Sequence, residues 1–121
     1  MRLCVVVLLL GVAPAVLARY FQYLDKFKDM KDDDVIACMA EGQLDRCSDV
    51  LRELRDKFSE IAATNCAKCD AVEKDELFKY FVRFSHRYAD ASKKIQDRYD
   101  PTREYRKKFG EYWTKKGIVL Y

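Results

Sequence analysis

Apolar residues along most of this chain recur at intervals of three and four, the spacing that gathers them on one face of an α-helix. From Ser48 onward Val50, Leu51, Leu54, Phe58, Ile61 and Ala62 fall on one stripe, and Arg52, Glu53, Arg55, Asp56, Lys57 and Glu60 face away. With Ser48 or Asp49 as N-cap, the pattern predicts a helix to about Ala63. A second long helix is predicted to begin around residues 66–69, burying Val72, Leu77, Phe81, Phe84 and Tyr88, with Phe78 and Tyr80 flanking them. The last helix is expected after Asp100-Pro101, with Asp100 as N-cap and Pro101 at the first helical position, where its missing N–H is harmless. Tyr105, Phe109, Tyr112 and Trp113 mark its stripe, Gly117 ends it, and Ile118-Val119-Leu120 forms an apolar tail that needs a groove. Shorter helices are predicted at about 23–28, 33–41 and 89–98. Alternating Val, Ile and Thr, the mark of strands, is scarce after the first eighteen residues. The expected fold class is all-α, a compact bundle of about six helices.

The first eighteen residues follow a different pattern. Met1-Arg2 supplies a positive start, Leu3 to Val12 carries no charge, and Ala13-Pro14-Ala15-Val16-Leu17-Ala18 offers small residues to a signal peptidase. A membrane anchor needs about 20 apolar residues, more than this run holds. The division expected is a signal peptide at 1–18, cut between Ala18 and Arg19, and a secreted helical domain at 19–121. No second apolar stretch follows, so stable membrane insertion is not expected.

Length, composition and charge narrow the function classes. A chain of 121 residues has room for one domain, and only four Gly and two Pro argue against a turn-rich β-sandwich. Loss of Arg2 with the leader lowers the formal charge from +3 by one, too little for a nucleic-acid footprint. Arg98, Arg103, Arg106, Lys107, Lys108, Lys115 and Lys116 read as a solvated helix face. Asp32-Asp33-Asp34 reads as a helix start, since the oxygen spacing and loop glycine of a calcium-binding hand are missing.

Candidate chemistry is sparse. The single histidine, His86, follows Ser85 on a helical segment, where adjacent side chains diverge by about 100° and cannot act on one another. Glu53, Glu60 and Glu73 read as solvated helix faces, and no Gly-rich phosphate loop occurs. Neither an enzyme nor a cofactor is expected. Cys4 leaves with the leader, and Cys38, Cys47, Cys66 and Cys69 remain. An even set in a secreted chain reads as two disulfides, in any of three pairings. Zinc is disfavoured by secretion and by the wide C-x8-C interval, so no metal site is expected. A redox motif at Cys66-Ala67-Lys68-Cys69 lacks the strand that normally precedes one.

Three elements together have a specific look: the C-x8-C-x18-C-x2-C frame, the run Asn65-Cys66-Ala67-Lys68-Cys69, and Tyr99-Asp100-Pro101-Thr102 followed by Arg106-Lys107-Lys108-Phe109. With the closing Gly117-Ile118-Val119 they resemble the insect chemosensory protein family, also called OS-D, over about residues 23–119. The resemblance implies six helices around an internal apolar channel, and local pairing of Cys38 with Cys47 and Cys66 with Cys69. It implies a secreted carrier of fatty acids, long-chain alcohols, esters and related semiochemicals, without catalysis; a monomer is expected. Val35, Leu54, Phe58, Ile61, Phe81, Phe84, Ile95, Tyr99 and Phe109 match the family's channel or core positions. Ser92 stands where a mouth Trp is usual, Val35 where a Tyr is usual, and the first cysteine loop is longer than the family's. Tyr99, Ser92 and Lys94 are the candidate anchors for a polar head group. The alternative is a secreted structural or signalling helical module, in development, cuticle or defence, whose rings are all core.

Overall fold

A computed structural model describes residues 19–121; the expected leader and its cleavage point lie outside them. Among the described residues all regular structure is helical, six helices and one short turn of 3-10 helix. The first helix, Leu24–Asp29, is wound as 3-10 and sets Phe27 into the core. Next comes α1, Asp32–Val35, whose first turn holds all three aspartates at the end of the helix dipole that favours carboxylates. It runs without a break into a π-helical stretch, Ile36–Ala40. There the Glu41 N–H reaches back to the Ile36 carbonyl at 3.0 Å, and Cys38, Met39 and Ala40 all turn inward. A 3-10 turn at Leu44–Arg46, which no sequence pattern announced, occupies the extended first cysteine loop.

The next helix, α2, Asp49–Thr64, starts on Ser48, whose hydroxyl accepts from the Leu51 N–H at 3.5 Å. It ends on Asn65, held in the left-handed region at φ 54°, a conformation asparagine tolerates. Its successor, α3, spans Ala71–Arg87 and begins later than the sequence pattern predicted. The Cys66–Cys69 segment is a turn, and Asp70 and Glu73 form a capping box that fixes the true start. Val72 therefore sits on the outer side of the first turn, 53% exposed rather than buried. The inward face passes instead to Leu77, Phe78, Tyr80 and Phe84, with Phe81 and Tyr88 half-buried.

Two further helices complete the bundle, α4, Ala89–Tyr99, and α5, Glu104–Lys116. Pro101 lies in the turn between them and is not the first helical residue. Arg103, at φ 65°, is the N-cap of α5. Asp100 still serves that helix end across the turn, its carboxylate accepting from the Tyr105 and Arg106 N–H groups at 3.1 and 2.9 Å. The aromatic stripe expected of α5 is at most half-buried, and its fully buried side chain is Arg106.

Met39, Leu51, Leu54 and Leu77 form the most deeply buried apolar centre, where the π-helical stretch, α2 and α3 meet. Both disulfides are local, Cys38–Cys47 and Cys66–Cys69, with Cα separations of 5.1 and 5.3 Å that suit an unforced bridge. Cys38–Cys47 ties the π-helical stretch to the loop after it, and Cys66–Cys69 closes the turn between α2 and α3. Among the described residues no helix is long and apolar enough to cross a membrane.

Candidate functional site

The helices leave a cavity of about 110 Å³ between the α1 end of the bundle, α2, α3, α4 and the C-terminal tail. Helical spacing on α2 delivers Leu54, Phe58 and Ile61 to it, and α3 delivers Phe78, Phe81 and Phe84. Val35 closes the α1 side, and Ser92, Ile95 and Tyr99 come from α4. Nine of the positions expected from the sequence thus share one wall. Phe109 does not join them: it is half-buried on α5, packed on Trp113 with ring centroids 5.5 Å apart. The rings that do line the cavity touch one another, Phe58 to Tyr99 at 4.7 Å and Phe58 to Phe81 at 5.5 Å.

Sequence reasoning missed several wall residues. Met39 arrives through the π-helical stretch, which no periodicity foretells. Trp113 belongs to the wall although its neighbour Tyr112 is 38% exposed; the indole N–H donates to the Asn65 side chain at 2.7 Å, which fixes the ring. Ile118 and Leu120 are the apolar tail that needed a groove, and the groove is this cavity. Polar side chains hold the tail in place. Ser85 Oγ accepts from the Val119 N–H at 3.0 Å, and Gln96 bonds both the Val119 carbonyl at 2.9 Å and the Tyr121 N–H at 2.8 Å. His86 Nε2 meets the Gly117 carbonyl at 2.8 Å. Ser85 and His86 are thus engaged with the tail rather than with each other.

The three candidate anchors separate clearly. Lys94 is off the wall and pairs with Glu41 at 2.8 Å. Ser92 is on the wall but donates to the Phe84 carbonyl at 3.4 Å. Tyr99 is on the wall, and its hydroxyl has no hydrogen-bond partner among the described residues. Deeper charge is neutralised: Arg106 donates through Nε to Asp100 at 2.9 Å and through Nη1 to Asp97 at 3.0 Å. Burial pushes the Asp100 carboxyl up, but the Arg106 and Tyr105 N–H groups and the guanidinium outweigh it and hold it below the usual carboxylate range.

In size the cavity falls a little under the ~150 Å³ apolar voids that accept a benzene-sized guest. As it stands it is too small for such a guest, and a long acyl tail needs the half-buried rings or the C-terminal tail to move.

Fold and site together define a small, disulfide-clipped helical protein with an aromatic-walled interior. Residues 24–107 match the insect pheromone-binding family, A10/OS-D, and the chain belongs to that family. It is a family of carriers for small hydrophobic ligands. No curated protein and no solved structure matches the chain.

Proposed function

We propose that this protein is a secreted, monomeric carrier that holds a fatty acid, long-chain alcohol, ester or related semiochemical in an apolar channel grown from the cavity. The observation that carries this reading is the wall itself: aromatic and aliphatic side chains from successive helices converge on one void. Apolar walls with few polar groups are what a hydrophobic guest requires. In this reading Val35, Leu54, Phe58, Ile61, Phe81, Phe84, Ser92 and Ile95 contact the chain of the ligand, and Tyr99 takes its head group. Phe109 would act only by backing Trp113. Export with removal of residues 1–18 agrees with the two disulfides and with the secreted character of the family.

Displacement of a fluorescent fatty acid by unlabelled fatty acids and alcohols tests the proposal. Micromolar, saturable displacement with one site per chain is the expected outcome. Absence of any uptake by the folded protein would leave the alternative, an exported helical module whose rings serve only as core.

A further inference from the structure

A second concavity lies on the outside of the bundle, between α3 and α5, with a volume of about 560 Å³. Its floor is apolar, made by Phe78, Val82 and Tyr112. Its rim carries Lys74, Lys79, Arg83 and Lys116 against one carboxylate, Asp75. Asp75 pairs with Lys79 at 3.0 Å, and Arg83 is drawn to Asp32 at 3.1 Å. Lys74 and Lys116 have no carboxylate within ion-pair distance among the described residues, and both hang over the Tyr112 ring, at 5.0 and 5.5 Å from its centroid. Two unpaired ammonium groups thus converge above an apolar floor. Phe78, only 7% exposed, is the one side chain that lines both this groove and the inner cavity.

We propose that this groove is the entry port and head-group site for an anionic single-chain amphiphile. Lys74 and Lys116 take its carboxylate, and the tail passes Phe78 into the cavity. The proposal rests on the carrier reading, narrows it to acids over their neutral analogues, and for an acid moves the head group from Tyr99 to the two lysines, leaving Tyr99 to neutral ligands. Charge complementarity selects the occupant, and the disparity in size supplies the reason: the inner void is too small for a long chain, whereas the two spaces joined at Phe78 are not. The α5 side of the groove is the one free to give way, because that helix buries only Arg106 and leaves its aromatic face loosely covered.

The test compares parinaric acid with the corresponding alcohol, by fluorescence titration of the full secreted chain and of Lys74→Gln/Lys116→Gln. Lys116 is exposed and Lys74 half-buried without an ion-pair partner among the described residues, so the variant is expected to fold normally, checked by circular dichroism. The expected result is a preference for the acid in the parent protein. That preference falls about tenfold in the variant, the size of effect two partly exposed charges can exert, and shrinks with added salt, while the alcohol binds unchanged. In stopped-flow, Phe78→Leu should raise the association and dissociation rates together. Equal affinity for acid and alcohol in the parent, or an equal effect of the variant on both, overturns the port while leaving the carrier intact. Failure of the parent to bind either probe overturns both. A variant that loses adsorption to phosphatidylglycerol vesicles but keeps its preference for free acid would mark the groove as a membrane contact and also overturn the proposal.

Discussion

At the residue scale, the Asp32 carboxylate accepts from the Tyr80 and Tyr88 hydroxyls at 3.1 and 2.8 Å and meets both terminal nitrogens of Arg83 at 3.1 and 3.3 Å. Burial pushes this carboxyl up, yet Arg83, Tyr88 and Tyr80 outweigh it and hold it below the usual carboxylate range. Replacing Asp32 by Ala strands two phenols and a guanidinium at the junction of α1 and α3. The expected loss is about 1–3 kcal/mol, read as a lower urea midpoint at unchanged m-value. Asp33→Ala, at an exposed position one residue on, should stay within ~0.5 kcal/mol. The sequence marks this triplet as a helix start but does not say which aspartate faces inward, because its partners lie some fifty residues away. Glu73 was invisible for the same reason. It looked solvated, yet it is 0% exposed, because its oxygens accept from the Tyr20, Phe21 and Asp70 N–H groups at 3.3, 2.5 and 2.9 Å. The segment 19–23 that covers it has no periodicity to declare itself.

At the scale of elements, helix existence was legible and facing was less so. Ser48 marked the start of α2 correctly because a side-chain cap is a local event. The start of α3 was misplaced because the bridged turn at Cys66–Cys69 reads as one more helical turn, although Asp70 and Glu73 carry the capping-box spacing. On α5 the aromatic period was real, but Asp97 and Asp100 across the turn capture Arg106 and rotate that position inward. The end of the same helix gives a sharper test. Gly117 has φ +103°, and a Cβ built there would come within 3.3 Å of Val82. Gly117→Ala combines that backbone strain with a tight contact, so a loss of about 1 kcal/mol or more is expected. It should fray the tail first: amide exchange at Ile118 and Val119 should quicken well before the core amides respond, since their bonds to Trp113 and Ser85 depend on this cap.

For the whole molecule, pH and redox state act on separate parts of the fold. Asp32, Glu53 and Asp100 all titrate below the ordinary carboxylate range; each has burial working against it and hydrogen bonds from neighbouring cations, phenols or backbone N–H groups prevailing. A depressed carboxyl contributes stability that is present above its unfolded pKa, near 4, and is lost as pH falls through the folded value. Burial first, and carboxylate partners second, raise the Tyr20 and Tyr80 hydroxyls. Their contribution is full below about pH 10 and declines above it, where the unfolded chain ionises more readily. Urea midpoints should therefore form a plateau from about pH 5 to about pH 9 with a limb on each side, and Asp32→Asn should flatten part of the acid limb alone. The disulfides, by contrast, close loops with sequence separations of only 9 and 3 residues, so each restrains the unfolded chain modestly. Loop entropy gives roughly 2–3 kcal/mol for the Cys38–Cys47 bridge and about 2 kcal/mol for Cys66–Cys69. Cys38, Cys47 and Cys66 share the core of Met39, Leu51, Leu54 and Leu77, but neither bridge links distant helices, so that packing is expected to survive their removal. Paired serine substitutions should keep the helical far-ultraviolet spectrum and lower the urea midpoint, more for the Cys38–Cys47 pair than for the other. Collapse of the helical signal on removing either pair would mean that the bridges dictate the core rather than merely shorten the loops around it.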